Sequence, residues 1–129
     1  MLDNLLMRIF LISIVFLTAC SPEFDLNGTW EARGYECPNQ NIDIETIGIE
    51  QDQLNVTATK IKGDNCIQSG EVTFSGSIQN DSIIGFMNAR NPNTLEEIKY
   101  PMAMKIVNYD SLRLSIEDGT TITFKRINK

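Results

Sequence analysis

The chain contains no histidine among its 129 residues. Histidine is the side chain most often used as a general base near neutral pH, and it is the commonest protein ligand of metal ions. Its absence argues against histidine-dependent catalysis. It also argues against a zinc site built on Cys37 and Cys66, since two cysteines without further ligands do not complete such a site. We therefore expect no bound metal and no cofactor.

Positive charge is scarce as well. Eleven Lys and Arg residues face 17 Asp and Glu residues, which leaves a net charge of −6 at pH 7. A negative surface repels phosphate backbones, so the composition argues against nucleic acid as a partner. The charged residues are scattered along the chain rather than gathered in a tail, which predicts a solvated surface.

Catalytic motifs are missing too. The sequence holds neither a Gly-x-Ser-x-Gly elbow nor a Ser-x-x-Lys pattern. The stretch Lys62-Gly63-Asp64-Asn65 lacks the spaced carboxylates of a calcium loop. Asp43 and Glu45 are the best paired carboxylates, since they share one face of a predicted strand, but that pattern favours a solvated face. We predict that the chain is not an enzyme.

One apolar run stands at the start, from Ile9 to Leu17, directly after Arg8. It is too short to span a bilayer as a helix, which takes about 20 residues. A short apolar run behind a positive residue is typical of a secretory signal, and its lack of a polar face argues against a buried core helix. Translation can begin at Met1 or at Met7.

The residues Leu17-Thr18-Ala19-Cys20 resemble the lipobox of bacterial lipoproteins. This resemblance implies a signal peptide over 1–19, lipid such as palmitate on Cys20, and a lipidated tether over 20–27. Two or more acyl chains would give a stable membrane anchor. Ordinary secretion is the alternative. Ser21, by resemblance to enterobacterial sorting, favours the outer membrane, with the domain facing the periplasm or the cell surface.

Two cysteines remain once Cys20 is assigned to lipid. In an exported domain Cys37 and Cys66 are expected to form a disulfide, which closes a loop worth roughly 3–4 kcal/mol on the chain-entropy model. Their wide separation argues against a redox pair. Two free buried thiols are the alternative interpretation.

Short apolar alternations recur after residue 27, separated by turn residues, and no segment there shows a sustained helical period. The predicted strands are Thr29–Glu36, Ile42–Glu50, Gln53–Ile61, Glu71–Ile78, Ser82–Ala89, Ile98–Val107, Ser111–Glu117 and Thr120–Ile127. Asp118-Gly119 is the strongest turn signal and predicts a two-residue hairpin. Ile44 and Ile47 break the alternation of the second strand, which predicts a bulge.

Eight consecutive strands with short connections predict one all-β domain over 28–129, an antiparallel meander. Closure into an up-and-down barrel removes exposed edges, so we favour the barrel over a sandwich. In the fourth strand Val72, Phe74, Gly76 and Ile78 are predicted to share the inner face.

Leu26-Asn27-Gly28-Thr29-Trp30 resembles the Gly-x-Trp start of lipocalins. The resemblance implies that Trp30 plugs the closed end of the barrel and that Arg126, on the last strand, packs across its ring. An ordinary core tryptophan is the alternative. Side chains that would line a ligand cavity are large and apolar, and the predicted lining is Trp30, Phe74, Phe86, Tyr100, Met102, Met104 and Phe124.

These patterns together predict a non-catalytic, membrane-anchored envelope lipoprotein whose domain contacts another envelope protein or supports the envelope. The alternative is a lipocalin-like carrier of a small hydrophobic ligand, and a third interpretation is an inhibitor of a foreign hydrolase. An eight-stranded barrel is just wide enough to be filled by side chains or to hold one small ligand. The many apolar residues favour a filled interior.

Overall fold

A computed structural model describes residues 24–34, 44–63, 66–91, 93–94, 96–116 and 119–129. The described residues form eight strands. These are β1 (Gly28–Arg33), β2 (Ile44–Asp52), β3 (Asn55–Lys62), β4 (Val72–Gln79), β5 (Ser82–Arg90), β6 (Glu97–Asn108), β7 (Ser111–Ser115) and β8 (Thr121–Asn128).

Every strand pairs antiparallel with the next, and β1 also pairs with β8, so the sheet closes into one up-and-down barrel. The predicted fold class is confirmed, and the barrel rather than the sandwich is the observed form. Alternation of apolar and polar residues predicts this result because one face of each strand must be buried. Closure then leaves no long free edge around most of the barrel.

The two ends of the barrel are connected differently. At the end where β1 starts, two-residue turns follow β2, β4 and β6, as the pairs Asp52–Asn55, Gln79–Ser82 and Asn108–Ser111 show. We call this the closed end, and the opposite end the open end. Longer connections join the strands at the open end.

The last connection differs from the predicted two-residue hairpin. Ile116 donates its N–H to the Thr120 carbonyl, and Gly119 donates its N–H to the Ile116 carbonyl. The loop is therefore longer than two residues, and Gly119 occupies a left-handed position with φ of 92°. A glycine at the end of a longer hairpin loop serves this geometry well, because it lacks the Cβ that would strain it.

A bulge moves Val72 away from its predicted place on the inner face. Thr59 pairs with Val72 and Ala58 pairs with Phe74, so Thr73 is an extra residue in β4. Its hydroxyl donates to the Ala58 carbonyl at 3.2 Å, and Val72 is 37% exposed on the outside. The extra residue Thr73 shifts the register by one, so Val72, which precedes it, points outward instead of inward.

The bulge predicted in β2 lies in its partner instead. Thr46 pairs with Lys62 and Ile47 pairs with Lys60, which makes Ile61 the extra residue in β3. β2 itself alternates without interruption, with Glu45 and Ile47 buried. Glu45, rather than Ile44, occupies the inner face.

Two glycines let β4 and β5 approach closely. Gly76 pairs directly with Gly85, and an added Cβ on Gly85 would lie 2.0 Å from the Ser75 carbonyl oxygen. No other residue fits this crossing without moving the backbone. The next strand places Met102 opposite Gly85, and its buried side chain lies in the core. Glycine at these two positions thus allows the close approach of β4 and β5.

Candidate functional site

Five of the seven residues predicted to line the interior are buried there: Trp30, Phe74, Met102, Met104 and Phe124. The rings of Phe74 and Phe124 meet edge to face with 5.6 Å between their centroids. This arrangement favours aromatic pairs beyond their burial alone.

The other two predicted lining residues are on the outside. Phe86 is 52% exposed and Tyr100 is 50% exposed, so their assignment to a cavity is wrong. Phe86 lies on the outer face of β5, where both faces carry apolar residues and periodicity cannot choose between them. Tyr100 has the inward parity of Met102, but it lies where β7 no longer pairs with β6, because that pairing begins at Met104.

Side chains fill much of the interior toward the open end. The cavity lined by Phe74, Phe124, Ile47 and their neighbours measures about 30 Å³. That is room for about two or three water molecules, since one probe sphere occupies about 10–15 Å³. Ligand pockets for small organic molecules are ten times larger or more. This cavity does not accommodate a lipid or a similar apolar molecule.

Trp30 and Arg126 form the plug at the closed end. A register shift between Thr29 and Trp30 makes Ile127 an extra residue in β8 and places Arg126 directly opposite Trp30. The Arg126 guanidinium carbon lies 4.9 Å from the centre of the indole ring. The predicted contact is confirmed, and Trp30 is fully buried with its Nε1 donating to the Leu26 carbonyl at 3.0 Å. Cation–π contacts of this type contribute about 0.5–2 kcal/mol.

Arg126 also connects three segments of the chain. Its guanidinium donates to the main-chain carbonyls of Asp25, Asn27 and Tyr109, the last two at distances of 2.9 Å and 2.6 Å. The Asp110 carboxylate lies 3.4 Å from its Nε. The side chain is only 4% exposed, so these acceptors replace the water that the charge loses on burial.

Residues 24–27 pack against the closed end rather than extending away from it. Gln51 accepts the Leu26 N–H and donates to the Phe24 carbonyl, both at 2.8 Å. The Asp25 carboxylate accepts hydrogen bonds from the side-chain amide and from the main-chain N–H of Asn27. These bonds lower the pKa of Asp25, and the side-chain bond has the larger effect. The part of the predicted tether that the structure describes is thus ordered against the barrel.

A buried ion pair lies inside the barrel toward the open end. Lys60 Nζ and Glu45 Oε1 are 3.1 Å apart, and their side chains are 1% and 9% exposed. The pair adjoins the small cavity, and Gly63 covers it, since an added Cβ there would lie 2.9 Å from Glu45 Cγ. The expectation that Glu45 lies on a solvated face is wrong. Asp43, its predicted partner, is outside the described residues.

Sequence reasoning missed Lys60 entirely. The signal was present: Val56, Ala58 and Lys60 alternate on one face of β3, and Glu45 holds the same place in the apolar pattern of β2. Opposite charges at two inward positions of neighbouring strands indicate a pair, because an isolated charge is rarely buried.

A groove of about 180 Å³ lies at the open end. It separates the β5–β6 hairpin from the turn before β4, and it is lined by Ile67, Glu71, Asn88 and Arg90 among others. Arg90 forms an ion pair with Glu71 across it, and Glu97 approaches the same guanidinium at 3.8 Å. The groove is small, and the charge of Arg90 is paired with Glu71, while its buried Nε has no hydrogen-bond partner among the described residues.

The outer face of β5 and β6 carries an apolar strip. Ile84 pairs with Ala103 and Phe86 pairs with Pro101, so these four residues form two adjacent rows. Ile84 is 39% exposed and Phe86 is 52% exposed. Exposed apolar side chains grouped on a sheet face favour an interaction surface.

The remaining predicted sites are largely outside the described residues. Cys20 and Cys37 are both in that part of the chain, so lipid on Cys20 and the Cys37–Cys66 disulfide stay predictions. Cys66 is described, and it is buried at 6% exposure.

Comparison with known proteins gives no relative: no family model, curated protein or solved structure matches the chain. Within the part of the chain that the structure describes, no helix has the length and apolar character needed to cross a membrane. The same residues contain no group of three or more acidic or cysteine side chains placed to hold a metal ion.

Proposed function

We propose that this protein is a non-catalytic envelope lipoprotein, anchored to a bacterial membrane by lipid on Cys20, whose barrel is a protein-interaction or envelope-structural module. The observation that carries the proposal is the small volume of the interior cavity that the described residues line. The interior cavity of about 30 Å³ and the groove of about 180 Å³ are both smaller than the roughly 300 Å³ at which small-molecule pockets begin. Recognition therefore falls to the outer surface.

The apolar strip of Ile84, Phe86, Pro101 and Ala103 supports this proposal, because it offers a partner an exposed aromatic anchor on a rigid sheet. Interfaces are enriched in aromatic residues and depleted of charge at their centres. The contact between Trp30 and Arg126 supports the lipocalin-like architecture inferred from the first strand. The lipobox motif supports the anchor, with the outer membrane favoured.

Recovery of a partner tests the interaction surface. The full chain is cross-linked in membranes and purified, and bound proteins are identified by mass spectrometry. We expect a specific envelope protein whose recovery falls about tenfold with Phe86→Lys, since a charge is placed at the centre of the strip. Val107→Lys is the matched control, because Val107 is also exposed but lies elsewhere on the barrel. Failure to recover any specific protein would contradict the proposal.

Extraction of the purified protein separates this proposal from a ligand carrier. We expect no apolar molecule in stoichiometric amount in the extract of the barrel. A lipid or another apolar compound bound one to one would instead support the carrier. Lipid attached covalently to Cys20 is distinguished because it remains on the polypeptide.

Metabolic labelling tests the anchor. Cells that express the full chain are fed an alkyne fatty acid, and the labelled protein is detected after coupling to a dye. We expect the label to disappear in Cys20→Ser and to persist in Cys66→Ser. Label that persists in Cys20→Ser, or a wild-type chain without label, would refute the lipid on Cys20.

A further inference from the structure

One edge of the barrel is left open beside β6. This strand has 12 residues, whereas β7 has five, and β7 pairs with β6 only from Met104 onward. Among the described residues none pairs with the β7 side of β6 between Glu97 and Ala103. Within the described residues, the first half of β6 is therefore paired with β5 alone, and no described strand occupies its other edge.

The register shows which main-chain groups face that edge. Asn91 donates its N–H to the Glu96 carbonyl, and Ile106 donates to the Asp81 carbonyl, so both are hydrogen-bonded pairs of the β5–β6 ladder. Such pairs alternate with non-bonded ones in an antiparallel ladder. Arg90–Glu97 and Asn88–Lys99 are consequently non-bonded pairs, since their register is unbroken.

The N–H and C=O groups of Glu97 and Lys99 thus point away from β5, toward the open edge. Pro101 is the next residue of the same parity, and it has no N–H to offer. Proline is tolerated in a sheet at such an outward-facing edge position. The N–H groups that face this edge are therefore those of Glu97 and Lys99 before the proline and that of Ala103 after it.

We propose that this edge pairs with the same edge of a second copy of the chain, antiparallel and centred on Ile98. In this register Glu97 of one copy lies opposite Lys99 of the other, and the two-fold axis repeats the pair. Each pair exchanges both main-chain hydrogen bonds and brings a carboxylate against an ammonium group. The contact is self-complementary, and closure of the dimer uses up both edges.

Apolar side chains favour the same register. Ile98 lies opposite its own copy at a non-bonded pair, where the two Cα atoms are about 4.5 Å apart. Tyr100 shares its face and is 50% exposed. Its ring is a diagonal neighbour of Ile98 in the second copy, within reach of a long side chain. Pairing therefore covers a ring that the single barrel leaves half in water.

A monomeric role for this edge is the competing interpretation, because Lys and Pro are also residues that keep free edges from pairing. The two interpretations differ in what they require of Glu97. An edge that is kept from pairing needs only charged side chains of either sign. The proposed dimer needs opposite charges at Glu97 and Lys99, which face each other across the axis. The proposal goes beyond the proposed function, since it requires neither a lipid anchor nor a second protein species.

A disulfide across the two-fold axis tests the register. Ile98→Cys is introduced into the full chain, which is purified in detergent, oxidised mildly and run on a non-reducing gel. A separation of about 4.5 Å lies within the range that a disulfide bridges. We expect a dimer band well above that of the parent chain. Val107→Cys is the matched control, since it is exposed on the same strand outside the open edge.

Charge exchange tests the specificity. In the Ile98→Cys chain, Lys99→Glu places two carboxylates opposite each other, and we expect the dimer to weaken roughly fivefold or more. Adding Glu97→Lys restores opposite charges and should restore the dimer, which a merely misfolded variant would not do. Circular dichroism confirms that each variant is folded.

Three results would overturn the proposal. One is a dimer yield from Ile98→Cys no greater than that from Val107→Cys. Another is a dimer that the charge reversal leaves unchanged or that the exchange fails to restore. The third is a cross-link from Ile98→Cys to a different protein, which would assign the edge to that protein instead.

Discussion

Both ends of the barrel bury a cation, and the acceptors that surround it differ between the two ends. At the closed end, Arg126 donates to the main-chain carbonyls of Asp25, Asn27 and Tyr109 and lies across Trp30. Toward the open end, Lys60 faces the carboxylate of Glu45. Main-chain carbonyls remain as acceptors when the side chain of their residue is replaced, whereas one substitution of Glu45 removes the carboxylate. The closed end therefore relies mainly on main-chain acceptors, with the exposed Asp110 carboxylate 3.4 Å from Arg126 Nε, whereas the open end relies on a matched pair of side chains.

The connections follow the same division. Two-residue turns at the closed end hold the strand ends together, and Gln53 and Asn80 adopt left-handed φ values of 55° and 56° there. The open end carries the longer connections and the groove beside Arg90. Rigid turns suit the end that supports the plug, while longer loops on a rigid scaffold are where binding residues concentrate.

Replacement of Trp30 by Ala should have the largest effect on stability. The fully buried ring fills the closed end, and its loss leaves a cavity and removes the contact with Arg126. We expect the free energy of unfolding to fall by about 4 kcal/mol, measured by urea denaturation followed by circular dichroism. Phe86→Ala is the matched control on the outer face and should cost less than about 1 kcal/mol. Equal costs would contradict the assigned faces.

Replacement of Lys60 by Met should follow, at about 3 kcal/mol, because it removes the cation that lies 3.1 Å from the buried Glu45 carboxylate. Urea denaturation again provides the measurement. The double change Glu45→Leu with Lys60→Met removes both charges and should cost clearly less than Lys60→Met alone. The single change Glu45→Leu completes the comparison. If the double variant costs as much as the two single changes added together, the two residues do not act as a pair.

Replacement of Arg126 by Lys should cost less, about 1.5 kcal/mol. Lysine keeps the charge but cannot donate in several directions at once to fixed carbonyls, and it loses the flat contact with Trp30. The loss is expected in the segment 24–27, so hydrogen exchange should become faster at Leu26, whose N–H is bonded to Gln51. Unchanged exchange there would separate Arg126 from the ordering of that segment.

Asp25→Asn should have the smallest effect. Hydrogen bonds from Asn27 place the folded pKa of Asp25 below its ordinary value of 3.8. Its contribution is complete above pH 4 and is lost as the pH falls through the folded value. We therefore expect the melting temperature of the variant to be slightly lower at pH 7 and equal to that of the parent at pH 2. Asp52→Asn, another exposed acid, is the control.

Much of the fold follows from the sequence because alternation constrains each strand locally. All eight strands were predictable, with ends displaced by a few residues. The prediction of which side chains point into the barrel was wrong where the local pattern was ambiguous. The bulge at Thr73 reverses Val72, and the apolar residues on both faces of β5 left the direction of Phe86 undetermined.

The site was less predictable because it depends on how strands end relative to their neighbours. Tyr100 has the inward parity, yet it is exposed because β7 stops short of it. The Glu45–Lys60 pair requires the register of β2 against β3, which single-strand patterns do not supply. The contact of Trp30 with Arg126 was predictable only through the resemblance to lipocalins.

The open edge of β6 has a geometric consequence for where two copies can meet. A two-fold axis between antiparallel strands reverses the strand direction, so paired barrels point their closed ends in opposite directions. Residues 24–27 pack on the closed end, and the chain from Cys20 to Phe24 reaches at most about 14 Å. Two lipid-anchored copies would then attach to opposed surfaces, with the β6 junction bridging the gap between them.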